Sequence, residues 1–271
     1  MVELVAIVGI NGKQAGAAAS KLLKKGIKVR GVVRDPASSA WADKVEMVAG
    51  DMKDVASLKK AFEGVDSVYF VTPFNVDDEV VMGKTVIDAA KEAGVSHVVF
   101  SSVSIADQAA VTTVWGAKIK IETHLAESGV PFTVVRPPNF MDNFLPTGIF
   151  PIQGTALVGM LPPDLKTQFI AVEDIGYVVA EIIEKRGKFL GQTVELAGDD
   201  LSCKDMAAIL GNVNGATYTY SDFPLTYDAV QQMVGFISTH ECLGDIPKLK
   251  EDFPELQNWE QFVRANNLGK Q

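Results

Sequence analysis

LVAIVGINGKQAGAAASKLLKKG, residues Leu4 to Gly26, decides the fold. Leu4 to Val8 form an apolar run of strand length, and the small-residue run from Ala15 ends like a helix, with Lys21, Lys24 and Lys25 before Gly26. Between them lies GINGKQAG, with glycines at 9, 12 and 16. This is not G-x-G-x-x-G, although Ala15 can serve as the third small residue of G-x-x-G-x-x-A. A strand before and a helix after separate a dinucleotide fingerprint from a chance glycine cluster. Gly9 and Gly12 let the backbone turn and approach a pyrophosphate, Ala15 and Gly16 let the helix pack against the sheet, and the helix N-terminus offers N–H donors to phosphates. The plainer alternative is a tight structural turn.

Outward from this stretch the first half repeats the same grammar. Apolar runs at LVAIVG, KVRGVVR, VEMVAG, SVYFVTP, HVVFSS and FTVVRP alternate with helical segments such as DEVVMGKTVIDAAKEAG. That is the pattern of β-α-β units around a parallel sheet, so the chain is expected to be α/β, a Rossmann-type doubly wound sheet. After Pro137, proline and glycine interrupt PNFMDNFLPTGIFPIQGTALVGMLPPDL too often for a long regular element. A small C-terminal substrate lobe is expected there, because ligands of open α/β sheets sit beyond the carboxyl ends of the strands. Residues 1–137 are therefore assigned to the dinucleotide-binding core. Residues 138–271 are read as a mixed region that adds late Rossmann elements, including a helix in AVEDIGYVVAEIIEK begun by Glu173 or Asp174, to that lobe.

With 271 residues, 47% of them hydrophobic, the chain can bury a large core. It has no apolar stretch of about eighteen residues and no secretory leader pattern, so a cytoplasmic protein that does not enter a membrane is expected. A net charge of −9 repels a phosphate backbone, which argues against nucleic acid and leaves a basic protein partner open. Cys203 and Cys242 form no C-x-x-C pair, and His97, His124 and His240 are scattered without helical ligand spacing. No metal is expected.

Nucleotide choice is read from the end of the second strand, where an acid accepts the ribose 2′-hydroxyl and an arginine pairs with a 2′-phosphate. In GVVRDP, Arg34 ends the apolar run, and Asp35 should point to the opposite face of an extended chain and cap a turn beginning at Pro36. With Lys13 in the glycine loop, NADPH is favoured over NADH; the alternative for Arg34 is a solvated charge at a strand end.

Seven stretches in order, GINGKQAG, VVRDP, GDMKD, VVFSS, GVPFTVVRPPNFMDNF, AVEDIG and GQTVELAG, run nearly the whole chain. Together they resemble the NmrA-like family of atypical short-chain dehydrogenases/reductases. The resemblance implies a Rossmann sheet, a small C-terminal substrate lobe and a preference for NADP(H). It places Asp51 at the adenine amino group with Met52 alongside, Val71, Thr72 and Pro73 along the cofactor, Pro137, Asn139 and Phe140 at the nicotinamide, and Asn11 and Gln14 with Lys13 in the phosphate loop. It also makes Lys118 the lysine of the Tyr-x-x-x-Lys pair that holds the nicotinamide ribose. Four positions before Lys118 stands Val114, so the proton-donating tyrosine is absent. Lys118 and Glu122 share a helical face, which makes an ion pair between them the structural alternative. Ser102, Thr112 and Thr113 are weaker candidate donors.

Two functions follow from this reading. One is a reductase that passes hydride from NADPH to an apolar, conjugated acceptor such as a quinone, a cationic dye, an enone or an imine-like compound, for which a strong local acid matters less. Phe140, Phe144, Phe150, Met160, Phe223 and Phe236 would shape its substrate pocket, unless they only fill the lobe's core. The other is a nonenzymatic sensor of NADP(H) or NAD(H) that acts through a protein partner.

Overall fold

The computed structural model describes residues 2–73, 78–108, 115–223 and 227–270. In chain order the regular elements are β1 (Leu4–Val8), α1 (Lys13–Lys24), β2 (Lys28–Val33), β3 (Glu46–Ala49), α2 (Val55–Ala61), β4 (Ser67–Val71), α3 (Glu79–Glu92), β5 (His97–Ser101), α4 (Gly116–Glu127) and β6 (Phe132–Arg136). They continue as β7 (Asn139–Phe140), β8 (Ala156–Gly159), β9 (Thr167–Ile170), α5 (Val172–Glu184), α6 (Arg186–Phe189), β10 (Gln192–Glu195), β11 (Asp199–Leu201), α7 (Cys203–Asn214), β12 (Thr219–Asp222), α8 (Asp228–Ile237), α9 (Ile246–Asp252) and α10 (Trp259–Ala265). Two compact units result, Met1–Arg136 with Ile175–Val194 and Pro137–Asp174 with Glu195–Gln271.

The first unit is built on a seven-stranded sheet in the order β10-β6-β5-β4-β1-β2-β3, and the pairings from β3 across to β6 are parallel. The six strands expected from the apolar runs are β1 to β6. Both faces of the sheet are covered, which is why the central strands read as unbroken apolar runs: every residue of β5 is buried. Alternate side chains go to opposite faces. Ala6, Val8, Val68, Phe70, Val98 and Phe100 pack with Leu58, Phe62, Val86, Ile87, Ile121 and Leu125 of the α2, α3 and α4 layer, where Phe70 stacks on Phe100 with ring centres 4.7 Å apart. On the other face α5 crosses α1 so closely that a Cβ at Gly176 would lie 2.5 Å from the carbonyl carbon of Ala17. The chain leaves β1 for β2 and β3 on one side and returns to β4 on the other. The switch point therefore lies between β1 and β4, and it is beyond such a point that doubly wound sheets bind ligands.

The second unit carries a three-stranded sheet, β11-β9-β7, and a two-stranded one, β12-β8. Its core centres on Trp259, whose indole N–H donates to the Met206 carbonyl at 3.0 Å and whose ring packs against Phe144 and Phe262. Helix ends here are closed by side chains: Ser202 with Asp205 and Asn258 with Gln261 form capping boxes on α7 and α10. α5 departs from the sequence expectation. It begins at Val172, ahead of Glu173 and Asp174, because Asp142, thirty positions upstream, accepts the Val172 N–H at 2.7 Å and closes the helix from outside it.

Candidate nucleotide-binding site

The glycine stretch folds as a turn between β1 and α1. Gly9 donates its N–H to the Val32 carbonyl at 2.8 Å and takes φ +69°, a left-handed conformation that strains any residue with a Cβ. Gly12 then donates to the Gly9 carbonyl at 2.8 Å and stands at the helix N-cap, where a Cβ would come within 3.2 Å of that same oxygen. Gly16 is tight as well, its added Cβ falling 3.3 Å from the Ile10 carbonyl. The first turn of α1 contains no acid and its N-cap supplies no side-chain acceptor, so the positive end of the helix is not neutralised from within. Asn11 accepts the Ser39 hydroxyl at 2.7 Å and Gln14 accepts the Ser101 hydroxyl at 2.8 Å, which tie the loop to the turn after β2 and to the end of β5.

Beside this turn opens a cleft of about 910 Å³, walled by Val8, Gly9, Asn11, Val32, Val33, Arg34, Asp35, Ser38, Gly50, Asp51, Met52, Lys53, Pro73 and Met82. That volume lies within the range of small-molecule and cofactor sites. Of the residues expected to hold a cofactor, Gly9, Asn11, Arg34, Asp51, Met52 and Pro73 are among the walls. Gly12, Lys13, Gln14, Val71, Thr72 and Lys118 are not. Arg34 is exposed at the end of β2. Asp35 caps the turn over Pro36–Ser38 by accepting the Ala37 N–H at 3.2 Å, as its position before a proline suggests. Arg34 and Asp35 both wall the cleft, although successive residues of an extended chain point to opposite faces. Asp51 accepts the Lys53 N–H at 2.9 Å, and its own N–H donates to Ser57 at 3.1 Å, which fixes the turn after β3. Lys53, Ser38 and Met82 join the walls without a sequence signal, since a lysine, a serine and a helical methionine carry none of their own there.

Lys118 occupies an unexpected setting. Its ammonium donates to the Thr72 hydroxyl oxygen at 2.7 Å and pairs with Glu79 at 2.8 Å, while Thr72 donates its own proton to Glu79 at 2.7 Å. All three side chains are buried, and the face of Phe100 lies 5.5 Å from the Lys118 nitrogen. Burial pulls the Lys118 pKa below its ordinary value, opposed by Glu79 and by the field of Glu122. The alternative pairing of Lys118 with Glu122 is not the one made. Glu122 instead takes Arg136 of β6 in a two-pronged contact at 2.6 and 3.1 Å, because that guanidinium reaches it with a planar fork. Ser102 is buried with its hydroxyl unpartnered among the described residues. Val114, Thr112 and Thr113 lie outside the described residues.

The second unit receives the remaining candidates. Asn139 donates to the Gln168 carbonyl at 3.1 Å, and Pro137 is buried. Phe140, Phe144, Phe150 and Met160 wall one cavity with Asn139, Asn143, Gly159, Leu161, Phe169 and Cys203, but its volume is about 20 Å³, room for about one water. Phe223 reaches Phe150 with ring centres 5.6 Å apart, whereas Phe236 stacks on His240 and is not among the walls. Among the described residues, then, the cavity that Phe140, Phe144, Phe150 and Met160 share leaves room for about one water. Among the described residues no group of three or more His, Cys, Asp or Glu is gathered to hold a metal, and no helix is long and apolar enough to cross a membrane.

The NmrA-like family pattern matches residues 1–266. The chain belongs to the NmrA-like family. Among curated relatives of this NmrA-like chain, quinone oxidoreductase 2 of Escherichia coli is 26% identical over 224 residues, covering 81% of this chain and 77% of that protein. An NAD(P)H azoreductase of Xenophilus azovorans is 29% identical over 245 residues, covering 89% and 84%. Two solved structures share the fold. An E. coli NADPH-dependent quinone oxidoreductase with NADPH bound aligns with TM-score 0.79 at 23% identity, over 96% of this chain and 99% of that one. NmrA, a negative transcriptional regulator, in complex with NAD aligns with TM-score 0.80 at 19% identity, over 98% of both chains. The family thus includes NAD(P)H-dependent reductases and a regulator that binds NAD.

Proposed function

We propose that this NmrA-like protein is an NADPH-dependent reductase that passes hydride to an apolar, conjugated acceptor: a quinone, a cationic dye, an enone or an imine-like compound. The observation that carries the proposal is the cleft of about 910 Å³ beside a glycine turn and an uncapped, acid-free helix N-terminus, with an exposed arginine at its wall. Those residues fit a dinucleotide: Gly12 leaves space where a Cβ would crowd the backbone, α1 offers N–H donors to phosphates, Asp51 and Met52 offer a polar and an apolar contact to a base, and Arg34 offers a cation to a 2′-phosphate. When bound, the nucleotide supplies hydride. The protein's own task is then to orient its partners and exclude water, with Lys118 as the residue that holds a ribose. Without a tyrosine four positions before Lys118, the chain suits acceptors whose product charge is delocalised, or cations that hydride neutralises. The quinone and azo relatives support this acceptor class.

A second reading, a nonenzymatic sensor of the nucleotide, draws on the regulator's similarity and on the commitment of Lys118 to Glu79 and Thr72. An acceptor screen separates the two. NADPH loss is followed with quinones, cationic dyes, enones, imines and simple ketones, using wild type and Gly12→Val. Turnover with conjugated acceptors that disappears in the variant supports the reductase; tight nucleotide binding with every acceptor at background rate overturns it.

A further inference from the structure

A lysine, a glutamate and a threonine, all buried, close a ring in which each side chain touches the other two. Lys118 on α4 donates to Thr72 beyond β4 and pairs with Glu79 at the start of α3, and Thr72 spends its single proton on Glu79. Buried ion pairs contribute little net stability, since desolvation offsets much of their attraction, so a pair kept in this position calls for another explanation. The ring uses two of the three ammonium N–H groups among the described residues. The two partners of Lys118 come from separate parts of the chain, Thr72 just after β4 and Glu79 at the start of α3, so they hold the ammonium from two directions. Thr72 directly precedes Pro73, which walls the cleft, so the ring lies at the cleft end of β4.

We propose that Glu79 is the positioning residue for Lys118, fixing its amine at the cleft end of β4 together with Thr72. The proposal rests on the reductase reading for its catalytic consequence, but not for the ring itself. Among the described residues the charged groups around the amine are Glu79 from α3, Glu122 from α4 itself, and behind Glu122 the guanidinium of Arg136 on β6 with Asp107 from the segment after β5. Phe100 of β5 contributes only its ring face. Glu79 is the one carboxylate in contact with the amine among the described residues, so neutralising it removes most of what offsets burial. Lys118 then deprotonates at lower pH.

The test has a readout that does not need turnover. Lysine labelled with ¹³C at Cε is titrated by NMR in wild type, Glu79→Gln, Thr72→Val and Lys118→Met, the last identifying the resonance. Glu79→Gln keeps the shape of the side chain, and Thr72→Val keeps the charge. Glu79→Gln should move the Lys118 titration down by about one pH unit or more, and Thr72→Val by less. Kinetics with NADPH and a conjugated acceptor should then show kcat reduced about tenfold or more in Glu79→Gln, the alkaline limb of kcat shifted the same way, and the acceptor KM and the NADPH Kd little changed. Glu79→Asp should recover part of the loss. An unchanged Lys118 titration in a folded Glu79→Gln protein overturns the proposal. An NMR shift without turnover in any form upholds the hold of Glu79 on Lys118 and removes the reductase reading instead.

Discussion

Beyond the ends of β1 and β2 the protein leaves a cleft of about 910 Å³ whose walls mix glycines, an arginine, a lysine, two aspartates, an asparagine and a serine with three valines, a proline and two methionines. In the C-terminal lobe the cavity ringed by Phe140, Phe144, Phe150 and Phe169 amounts to about 20 Å³. The cleft walls carry glycines and charged side chains among their apolar ones, whereas the cavity walls are mainly aromatic and aliphatic. Glycines and charged side chains along a wall leave space and polar groups that the proposed nucleotide would use. Where phenylalanines face one another, they satisfy one another and the space closes. An aromatic-rich segment is therefore weak evidence for a pocket, whereas glycines in strained or crowded positions are strong evidence that the backbone itself must approach something.

The largest effect that separates the regions is expected at Phe144, nearly buried and packed edge-on against Trp259 with ring centres 5.7 Å apart. Phe144→Ala should cost about 3–5 kcal/mol of stability, measured by urea unfolding. NADPH affinity should be unchanged under conditions where the variant remains folded; a parallel loss of affinity would break the contrast.

The scaffold under the cleft carries its own pH signature. His97 is buried in β5, and because Thr133 spends its proton on the Phe189 carbonyl, the imidazole Nε2 must donate to Thr133, leaving Nδ1 buried without a partner among the described residues. Burial, with the charge of Arg186, depresses its pKa to about 4 from the usual 6.5. The unfolded chain then binds the extra proton between those values, so stability is complete above about pH 6.5 and falls as pH drops toward 4. The loss should reach about 3 kcal/mol. Unfolding midpoints across this window should show the slope in wild type and lack most of it in His97→Gln; equal slopes would refute the assignment.

Next comes the glycine turn. At Gly12 the backbone has φ −73°, open to a residue with a Cβ, although that Cβ would lie 3.2 Å from the Gly9 oxygen; Gly12→Val is therefore compared once its unfolding midpoint shows it folded, and its side chain would occupy the approach to the helix N-terminus. NADPH affinity should fall roughly 100-fold, ~2.7 kcal/mol, by titration calorimetry. An unaltered Kd would make the turn merely structural.

Smaller still is the expected effect at Arg34. Arg34→Ala should weaken NADPH by about 1.5–3 kcal/mol, the scale of a hydrogen bond to a charged group, with NADH almost unaffected. Equal losses for both nucleotides would move the 2′-phosphate elsewhere along the cleft.

Much of the first unit is legible in the sequence because its signals are local. The runs that became β1 to β6, the glycines of the turn and the cap at Asp35 each depend on neighbours within a few residues. The lobe is less legible, since its order rests on distant partners: Asp142 closing α5, Asp174 accepting the Gln257 N–H at 2.8 Å, and Trp259 reaching Met206. The same reason hid the partner of Lys118. Helical spacing pointed to Glu122, four positions on, while Glu79 read as an ordinary acid at a helix start; only the packing of α3 on α4, where a Cβ at Gly83 would meet Ile121 at 2.6 Å, brings Glu79 to the amine. Which residues share a helix face is written in the sequence, but which helix faces them is not.

The most direct test of the central claim is transfer of the nucleotide's hydride. NADPH deuterated at the transferred position is mixed with the protein and a cationic dye whose carbon centre accepts hydride, and the product is followed by mass spectrometry during a single turnover. The account predicts one deuterium bound to product carbon, appearing at a rate proportional to protein concentration and lost in Gly12→Val. Product formed only at the protein-free rate, while NADPH remains bound, would contradict it.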